Sequence, residues 1–339
     1  MDQTMLPDGQ VEARVSAVDR GSYRILHNGR ELPAELSGRF SFLADSPLDL
    51  PGVGDRVSVQ LYDSDSAAII HGLQERRSFL RRRRAGQTVE YQLIAANIDI
   101  AFIVQSCHFD FNIRRLDRYL VMAADGRVEA VILLTKIDLV PAEELERMIG
   151  AIRAAGITAR IIPLSNLTGA GVDEFRALLQ PGMSCCLLGS SGVGKTTLIN
   201  RLLGRELLET RQVSATGEGT HTTSRRQLIR LENGAMLIDT PGMRELGLLG
   251  AGEGMAQGFE DIFELGADCR YSDCTHVQEP GCAVRQAVAA GSLSQARYDS
   301  YLKLKKESEY YEMSYADKRK KDKEFGRFIN NAMKQIKKK

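Results

Sequence analysis

The stretch richest in chemistry is Gly189-Ser190-Ser191-Gly192-Val193-Gly194-Lys195-Thr196, a full match to G-x-x-x-x-G-K-[ST]. An apolar run, Met183 to Leu188, leads into it, and an amphipathic run, Thr197 to Leu203, follows. Strand, glycine-rich loop and helix in that order form the context in which the motif cradles phosphates. The glycines let successive backbone N–H groups converge on a phosphate, and the helix N-terminus adds partial positive charge. Lys195 is suited to the β- and γ-phosphates of a nucleoside triphosphate, and the Thr196 hydroxyl to Mg2+. Further on, Asp239-Thr240-Pro241-Gly242 follows a predicted hairpin, Arg226 to Leu231 and Ala235 to Ile238. Asp239, ending a buried strand, is placed to hold Mg2+ through water, and the Gly242 N–H to meet the γ-phosphate.

Two short segments upstream speak to the base. Thr135-Lys136-Ile137-Asp138 closes the apolar run Val131 to Leu134 and resembles the guanine-reading motif N-K-x-D. A carboxylate there accepts from both N1–H and the 2-amino group of guanine; adenine offers neither donor. The Lys136 stem packs along the base. Thr135 stands where Asn is usual, which puts in question the contact to N7 and the tie to the phosphate loop. Ser165-Asn166-Leu167 follows the next apolar run, in position for a backbone N–H to meet guanine O6.

A third constellation is Cys269-x4-Cys274-x-His276-x5-Cys282, three thiols and one imidazole in a turn-rich segment. Three Cys and one His make a closed, tetrahedral, structural zinc site, with no open position for catalysis. Cys107, Cys185 and Cys186 lie in or near apolar runs and read as core.

These residues need elements to position them. Residues 1 to about 85 alternate in short strands such as Val11 to Val15 and Arg56 to Tyr62, with turn signals at Asn28-Gly29, Pro51-Gly52 and Gly54-Asp55. That fits a small Greek-key barrel such as an OB-fold, or another small barrel. Arg76, Arg77 and the run Arg81 to Arg84 close the region, either as a solvated linker or as a phosphate-facing edge. Apolar runs at Ile98 to Gln105, Val128 to Leu134 and Ile157 to Leu164 then alternate with helical periods, notably Pro141 to Ala155 and Gly171 to Leu179. This predicts an α/β unit whose strands are buried on both faces. After about residue 245 the chain reads as helical and cysteine-bearing. Residues 316–339 hold ten Lys or Arg against three acids, a basic segment hidden by an overall charge of +1. The expected units are 1–85, 86–245 and 246–339, in a multidomain α/β protein.

With 43% hydrophobic and 26% charged residues among 339, the composition excludes a wholly disordered or fibrous chain. No apolar run is long enough to span a bilayer. Met1 to Gln10 lacks the basic start and apolar stretch of a secretory signal, so a cytoplasmic protein without membrane attachment is expected.

The order of the motifs is informative: base loops first, phosphate loop afterwards, the reverse of a standard GTPase. The 171–179 helix joins the Met183 strand through Gln180-Pro181-Gly182, a circular permutation. Barrel, T-K-I-D, S-N-L, G-S-S-G-V-G-K-T, D-T-P-G, the cysteine cluster and the basic segment together resemble the circularly permuted RsgA (YjeQ/YloQ) GTPases over nearly the whole chain. The resemblance implies an OB-fold that contacts 16S rRNA, a central GTPase and a C-terminal zinc domain. It further implies slow intrinsic GTP hydrolysis stimulated by the 30S subunit, with hydrolysis as a checkpoint and release signal in late small-subunit maturation. The partners expected are the 30S subunit, its 16S rRNA and other assembly factors, with a monomer off the ribosome.

For the reaction, GTP would be held by Thr135, Lys136, Ile137, Asp138, Ser165, Asn166, the loop Gly189 through Thr197, Asp239 and Gly242. Thr222 or Thr223, in Gly219-Thr220-His221-Thr222-Thr223, would close on Mg2+ and the γ-phosphate. Met243 follows D-T-P-G where many GTPases carry a water-orienting Gln, so His221 or a group supplied by the ribosome is expected to place the water. The competing readings are a metabolic ATPase or kinase (including a P-loop ATPase with an RNA-binding barrel), an RNA-binding module with a degenerate nucleotide site, and a GTPase acting on membranes, tRNA or translation.

Overall fold

Asn28 and Gly29, both at positive φ (48° and 77°), make the tight turn of a hairpin. It joins β2 (Ser22–His27) to β3 (Arg30–Leu36); β1 (Val11–Asp19) precedes them, and β4 (Arg56–Tyr62) and β5 (Ala67–Leu73) follow. In this computed structural model, which describes residues 9–19, 21–83, 91–109, 111–204, 226–240 and 252–312, the five strands close in the order β1-β2-β3-β5-β4, with β4 returning to β1. The β3–β5 pair is parallel, and a short helix, α1 (Gly38–Leu43), lies on the connection after β3. Alternating Val15, Ile25, Val57, Val59 and Ile70 fill the interior. This is the OB-fold barrel expected from the strand pattern.

Two residues of the arginine-rich segment, Arg76 and Arg81, are engaged by internal partners. β6 (Phe79–Arg83) pairs with β7 (Tyr91–Ala96) in a separate two-stranded sheet, so residue 85 falls between the two strands of a hairpin. Arg76 is committed to the interior. Its guanidinium donates to both oxygens of the fully buried Asp55, at 2.8 Å each, and to the Leu48 and Leu50 carbonyls. Arg81 pairs with Asp125 at 3.2 Å and lies over the Tyr91 ring. Arg84 lies outside the described residues.

The α/β unit comprises β8 (Ile100–Ser106), α2 (Ile113–Asp125), β9 (Glu129–Thr135), α3 (Ala142–Ala154), β10 (Arg160–Pro163), α4 (Val172–Ala177), β11 (Ser184–Leu188), α5 (Lys195–Leu203), β12 (Gln227–Arg230) and β13 (Met236–Asp239). The strands lie in the order β10-β9-β8-β11-β13-β12, parallel except for β12. Every residue of β8 and β11 is buried, as strands covered by helices on both faces require. Cys107, Cys185 and Cys186 are core, as their apolar setting predicted. β12 also meets β1, with Ala17 opposite Gln227, so barrel and α/β sheet run on as eleven strands.

Four helices follow: α6 (Gly252–Gly258), α7 (Glu260–Ala267), α8 (Ala283–Ala290) and α9 (Gln295–Glu312). α6 lies so close to α2 that a Cβ on Gly254 would sit 2.4 Å from the Val121 carbonyl oxygen. Leu116 and Tyr119 of α2 share one apolar core with Phe259, Ile262, Tyr301 and Leu304. Polar ties reinforce it: the Ser300 hydroxyl donates to Asp117, Arg118 pairs with Glu307 at 2.6 Å, and Arg297 pairs with Asp261 at 3.0 Å. Among the described residues no helix is long and apolar enough to cross a membrane.

Candidate functional site: a guanine nucleotide cleft and a cysteine–histidine cluster

The phosphate loop leaves β11 at the carboxyl edge of the parallel sheet, where ligands of open α/β sheets bind. Gly189 takes φ +153°, and a Cβ there would lie 2.4 Å from the Val104 carbonyl oxygen of β8. Gly194 takes φ +97° at the N-cap of α5. Only glycine meets both demands without strain. Lys195 is 7% exposed, and its ammonium donates to the Gly189 and Ser190 carbonyls at 2.7 Å each. The loop is curled around its own cation at the N-terminus of α5, which makes a cradle for anions. Asp239 is 1% exposed and stands opposite Leu187 in the register of β13 on β11. The Thr240 hydroxyl donates to the Leu187 carbonyl at 2.5 Å, fixing the chain as it leaves β13.

Both base loops converge on this cleft. Thr135 ends β9 fully buried, and its hydroxyl donates to the Val193 carbonyl at 2.6 Å. The tie to the phosphate loop that the missing Asn put in question is therefore present, carried by a hydroxyl. Asn166 adds a second tie, its amide donating to the Gly194 carbonyl at 3.0 Å. Lys136 sits at φ +60°, a left-handed conformation that turns the chain sharply between Thr135 and Asp138. The Ser165 hydroxyl donates to Asp138 Oδ1 and accepts from the Leu167 and Thr168 N–H groups at 3.1 Å. One carboxylate oxygen is thus gripped from the second loop, which aims the group that would meet N1–H and the 2-amino group.

Three supporting residues carried no sequence signal. Gln105 clamps Asn112, the cap of α2, through its side-chain amide, at 2.9 and 3.1 Å. Arg115, one turn into α2, donates to the Ser190 hydroxyl at 2.5 Å. Arg201 of α5 donates to the Asn166 carbonyl at 2.5 Å, holding the second base loop against the helix. Long-range contacts of this kind leave no local pattern. His221, Thr222, Thr223, Gly242 and Met243 lie outside the described residues, as does the basic segment 316–339.

These features are those of a chain related to known GTPases. The RsgA GTPase family model matches residues 73–249. The chain is 41% identical over 304 residues to the small ribosomal subunit biogenesis GTPase RsgA 2 of Lactiplantibacillus plantarum, covering 89% of this chain and 85% of that one. It belongs to the RsgA GTPase family. Its structure is similar to that of YjeQ from Thermotoga maritima, with a TM-score of 0.64 at 25% identity, over 87% of this chain and 97% of that one. A second likeness, of fold alone, is to YloQ, described as a circularly permuted GTPase, with a TM-score of 0.63 at 24% identity and 91% and 98% coverage. As a member of this family the chain is a GTP hydrolase, and its motif order is that of the permuted fold.

The cysteine cluster closes on itself between α7 and α8. The Cys269 and Cys282 sulfurs lie 3.8 Å apart, and each lies 3.5 Å from His276 Nδ1. The four donor atoms, Cys274 Sγ included, fall within 4.8 Å of one another. A tetrahedral zinc with bonds of roughly 2.3 Å to sulfur and 2.0–2.1 Å to nitrogen has edges of about 3.8 Å and 3.5 Å. The cluster fits such an ion. His276 takes φ +66°, and Tyr298 donates from its phenol to the His276 carbonyl at 2.5 Å. Glu279 accepts from the Thr275 hydroxyl and from the Thr275, Val277 and Gln278 N–H groups. These bonds, the Thr275 hydroxyl foremost, hold its carboxyl down to about 2.

Proposed function

We propose that this protein binds the small ribosomal subunit through 16S rRNA and uses GTP hydrolysis as the checkpoint and release signal of late subunit maturation. What carries the reading is the pair of hydrogen bonds, Thr135 to Val193 and Asn166 to Gly194, that lock both base loops onto the phosphate loop. An ATP-specific site has no use for a carboxylate aimed as Asp138 is. The ribosomal partner comes from the relatives, among them the small ribosomal subunit biogenesis GTPase RsgA 2. The ten Lys and Arg residues of segment 316–339 supply charge suited to RNA phosphates.

Lys195 and the N–H groups of residues 190–197 bind and orient the phosphates. Asp138, Lys136 and the Asn166 N–H select guanine. The oxygen donors at Thr196 and Asp239, with Thr222 or Thr223, suit Mg2+, which when bound neutralises charge on the β- and γ-phosphates. The cluster Cys269, Cys274, His276, Cys282 holds one structural Zn2+. His221, or a group supplied by the ribosome, positions the water, and the Gly242 N–H meets the γ-phosphate. The working units are the barrel, the GTPase unit together with the β6–β7 hairpin, and the helical unit from about residue 246, in a cytoplasmic monomer that meets other assembly factors on the subunit.

The test is GTP and ATP hydrolysis, each with and without purified 30S subunits. Slow GTP turnover that rises sharply with 30S supports the reading. Turnover indifferent to 30S, or equal use of ATP, overturns it. His221→Ala that leaves stimulated turnover intact would remove that residue from the mechanism.

A further inference from the structure

A cavity of about 250 Å3 opens between the first half of α2 and the middle of α9. Of its seven lining residues, four are cationic: Arg114, Arg115 and Arg118 from α2, and Lys303 from α9. None is acidic. Asn112 and the buried Ser300 add polar groups, and Leu304 is the one apolar wall. The cavity therefore suits an anion, and offers no platform for a base or other large apolar body. Its floor is rigid. The Ser300 hydroxyl is engaged by the buried Asp117, Arg297 stands 3.7 Å from Asp117, and Arg118 is held by Glu307 at 2.6 Å. Arg118's planar guanidinium is thus positioned in advance, the arrangement that suits phosphate oxygens.

Arg115 links this cavity to the nucleotide. Its side chain lines the cavity and donates to Ser190 of the phosphate loop at 2.5 Å. An anion drawn to Arg115 competes with the Ser190 hydroxyl for the same donors. We propose that the α2–α9 cavity takes a backbone phosphate of the RNA partner, and that Arg115 passes its occupancy to the phosphate loop. The site rests on the ribosomal reading above. It places a phosphate contact outside the Arg76 to Arg84 segment, where Arg76 and Arg81 are spent on internal partners.

The experiment compares the full-length protein with an Arg114→Ala/Lys303→Ala double variant. Neither side chain touches the nucleotide loops, and Arg114 and Lys303 are both exposed, so the fold and basal GTP turnover should be unchanged. Affinity for purified 30S subunits is measured across a salt series, together with 30S-stimulated hydrolysis. The variant should bind about tenfold more weakly. Its log K against log salt should be shallower by about 0.7 to 0.9, the loss of one phosphate contact. Stimulation should fall with it. A Lys303→Glu variant, which changes the charge by as much as the double variant does, should weaken binding to a similar extent. If wild type responds to 30S and both variants match it in affinity, slope and stimulation, the cavity is not a phosphate site and the ribosomal reading stands. If affinity falls but stimulation at saturating 30S is intact, the relay through Arg115 is overturned and the phosphate site survives. If wild type itself neither binds nor responds, the ribosomal reading fails and takes this proposal with it.

Discussion

The Thr135 hydroxyl donates to the Val193 carbonyl across 2.6 Å, between residues 58 positions apart that are 0% and 1% exposed. A side chain in the guanine-reading loop is therefore a structural part of the phosphate loop. The hydroxyl reaches because β9 ends with its last residue pointing toward the turn that β11 enters, with β8 between them supplying the Gln105 carbonyl as a second acceptor at 3.2 Å.

Thr135→Val keeps the shape and deletes the donor. The Val193 carbonyl then stays buried without its partner, a cost of about 1–3 kcal/mol. GDP affinity, read by titration with a fluorescent analogue, should fall about tenfold, and Thr135→Ser should restore most of it. Equal affinity for all three proteins would mean that the loop is held by Asn166 alone.

Asp138→Asn tests base selection directly. The amide presents a donor where the carboxylate accepted, so the 2-amino group of guanine loses its partner and the 2-carbonyl of xanthine gains one. The Ser165 hydroxyl can still donate to the remaining oxygen, so the loop should keep its shape. GTP affinity should drop at least about 100-fold, as unpaired polar groups in a hydrogen-bonding pocket require. Xanthosine triphosphate should become the better substrate. A variant that still prefers GTP would show that selection lies elsewhere, with the Asn166 loop as the next place to look.

Much of this site could be read in the sequence because its parts are local. Gly189 to Thr196 is one turn between a strand and a helix, and its glycines are demanded by backbone conformations that only glycine adopts cheaply. The four residues from Cys269 to Cys282 announce themselves by type and spacing. The barrel was legible from alternation, since one face of each strand must be apolar. What escaped detection is what crosses the fold. Arg115, Arg201 and Gln105 are ordinary polar residues until β8, α2 and α5 bring them to the loops. The arginine-rich segment misled for the same reason. A run of like charges suggests solvent or phosphate, and only the closed barrel reveals that Arg76 has Asp55 behind it.

Arg76 makes that contrast measurable. Arg76→Ala leaves the Asp55 carboxylate, 0% exposed, without its bidentate partner, and strands the Leu48 and Leu50 carbonyls. Removing one member of a buried pair costs about 3–5 kcal/mol. Thermal unfolding followed by circular dichroism should show a clear drop in midpoint. Arg76→Ala/Asp55→Asn should recover part of it by removing the orphaned charge. A variant that melts like wild type but loses salt-dependent RNA binding would instead return Arg76 to the phosphate edge.

The zinc proposed for the cysteine–histidine cluster should stabilise the C-terminal helices more than its four ligands alone suggest. Cys282 is the N-cap of α8, and Val284, two residues on, lies in the same core as Phe259, Tyr301 and Leu304. That core also includes Leu116 and Tyr119 of α2. Releasing such an ion would leave three thiols and an imidazole crowded within 4.8 Å with nothing to join them, and free the start of α8. Elemental analysis of the purified protein should give one zinc per chain, and Cys282→Ser should give much less. Stripping zinc with a strong chelator should lower the unfolding midpoint and expose apolar surface to a dye such as ANS, and re-addition of zinc should reverse both. Glu279→Ala removes the acceptor that four donors share in the ligand loop, so it should speed chelation without changing the zinc content of the untreated protein. Zinc-free protein with an unchanged melting curve would show that the cluster is not structural, and that the α2 to α9 core holds these helices by itself.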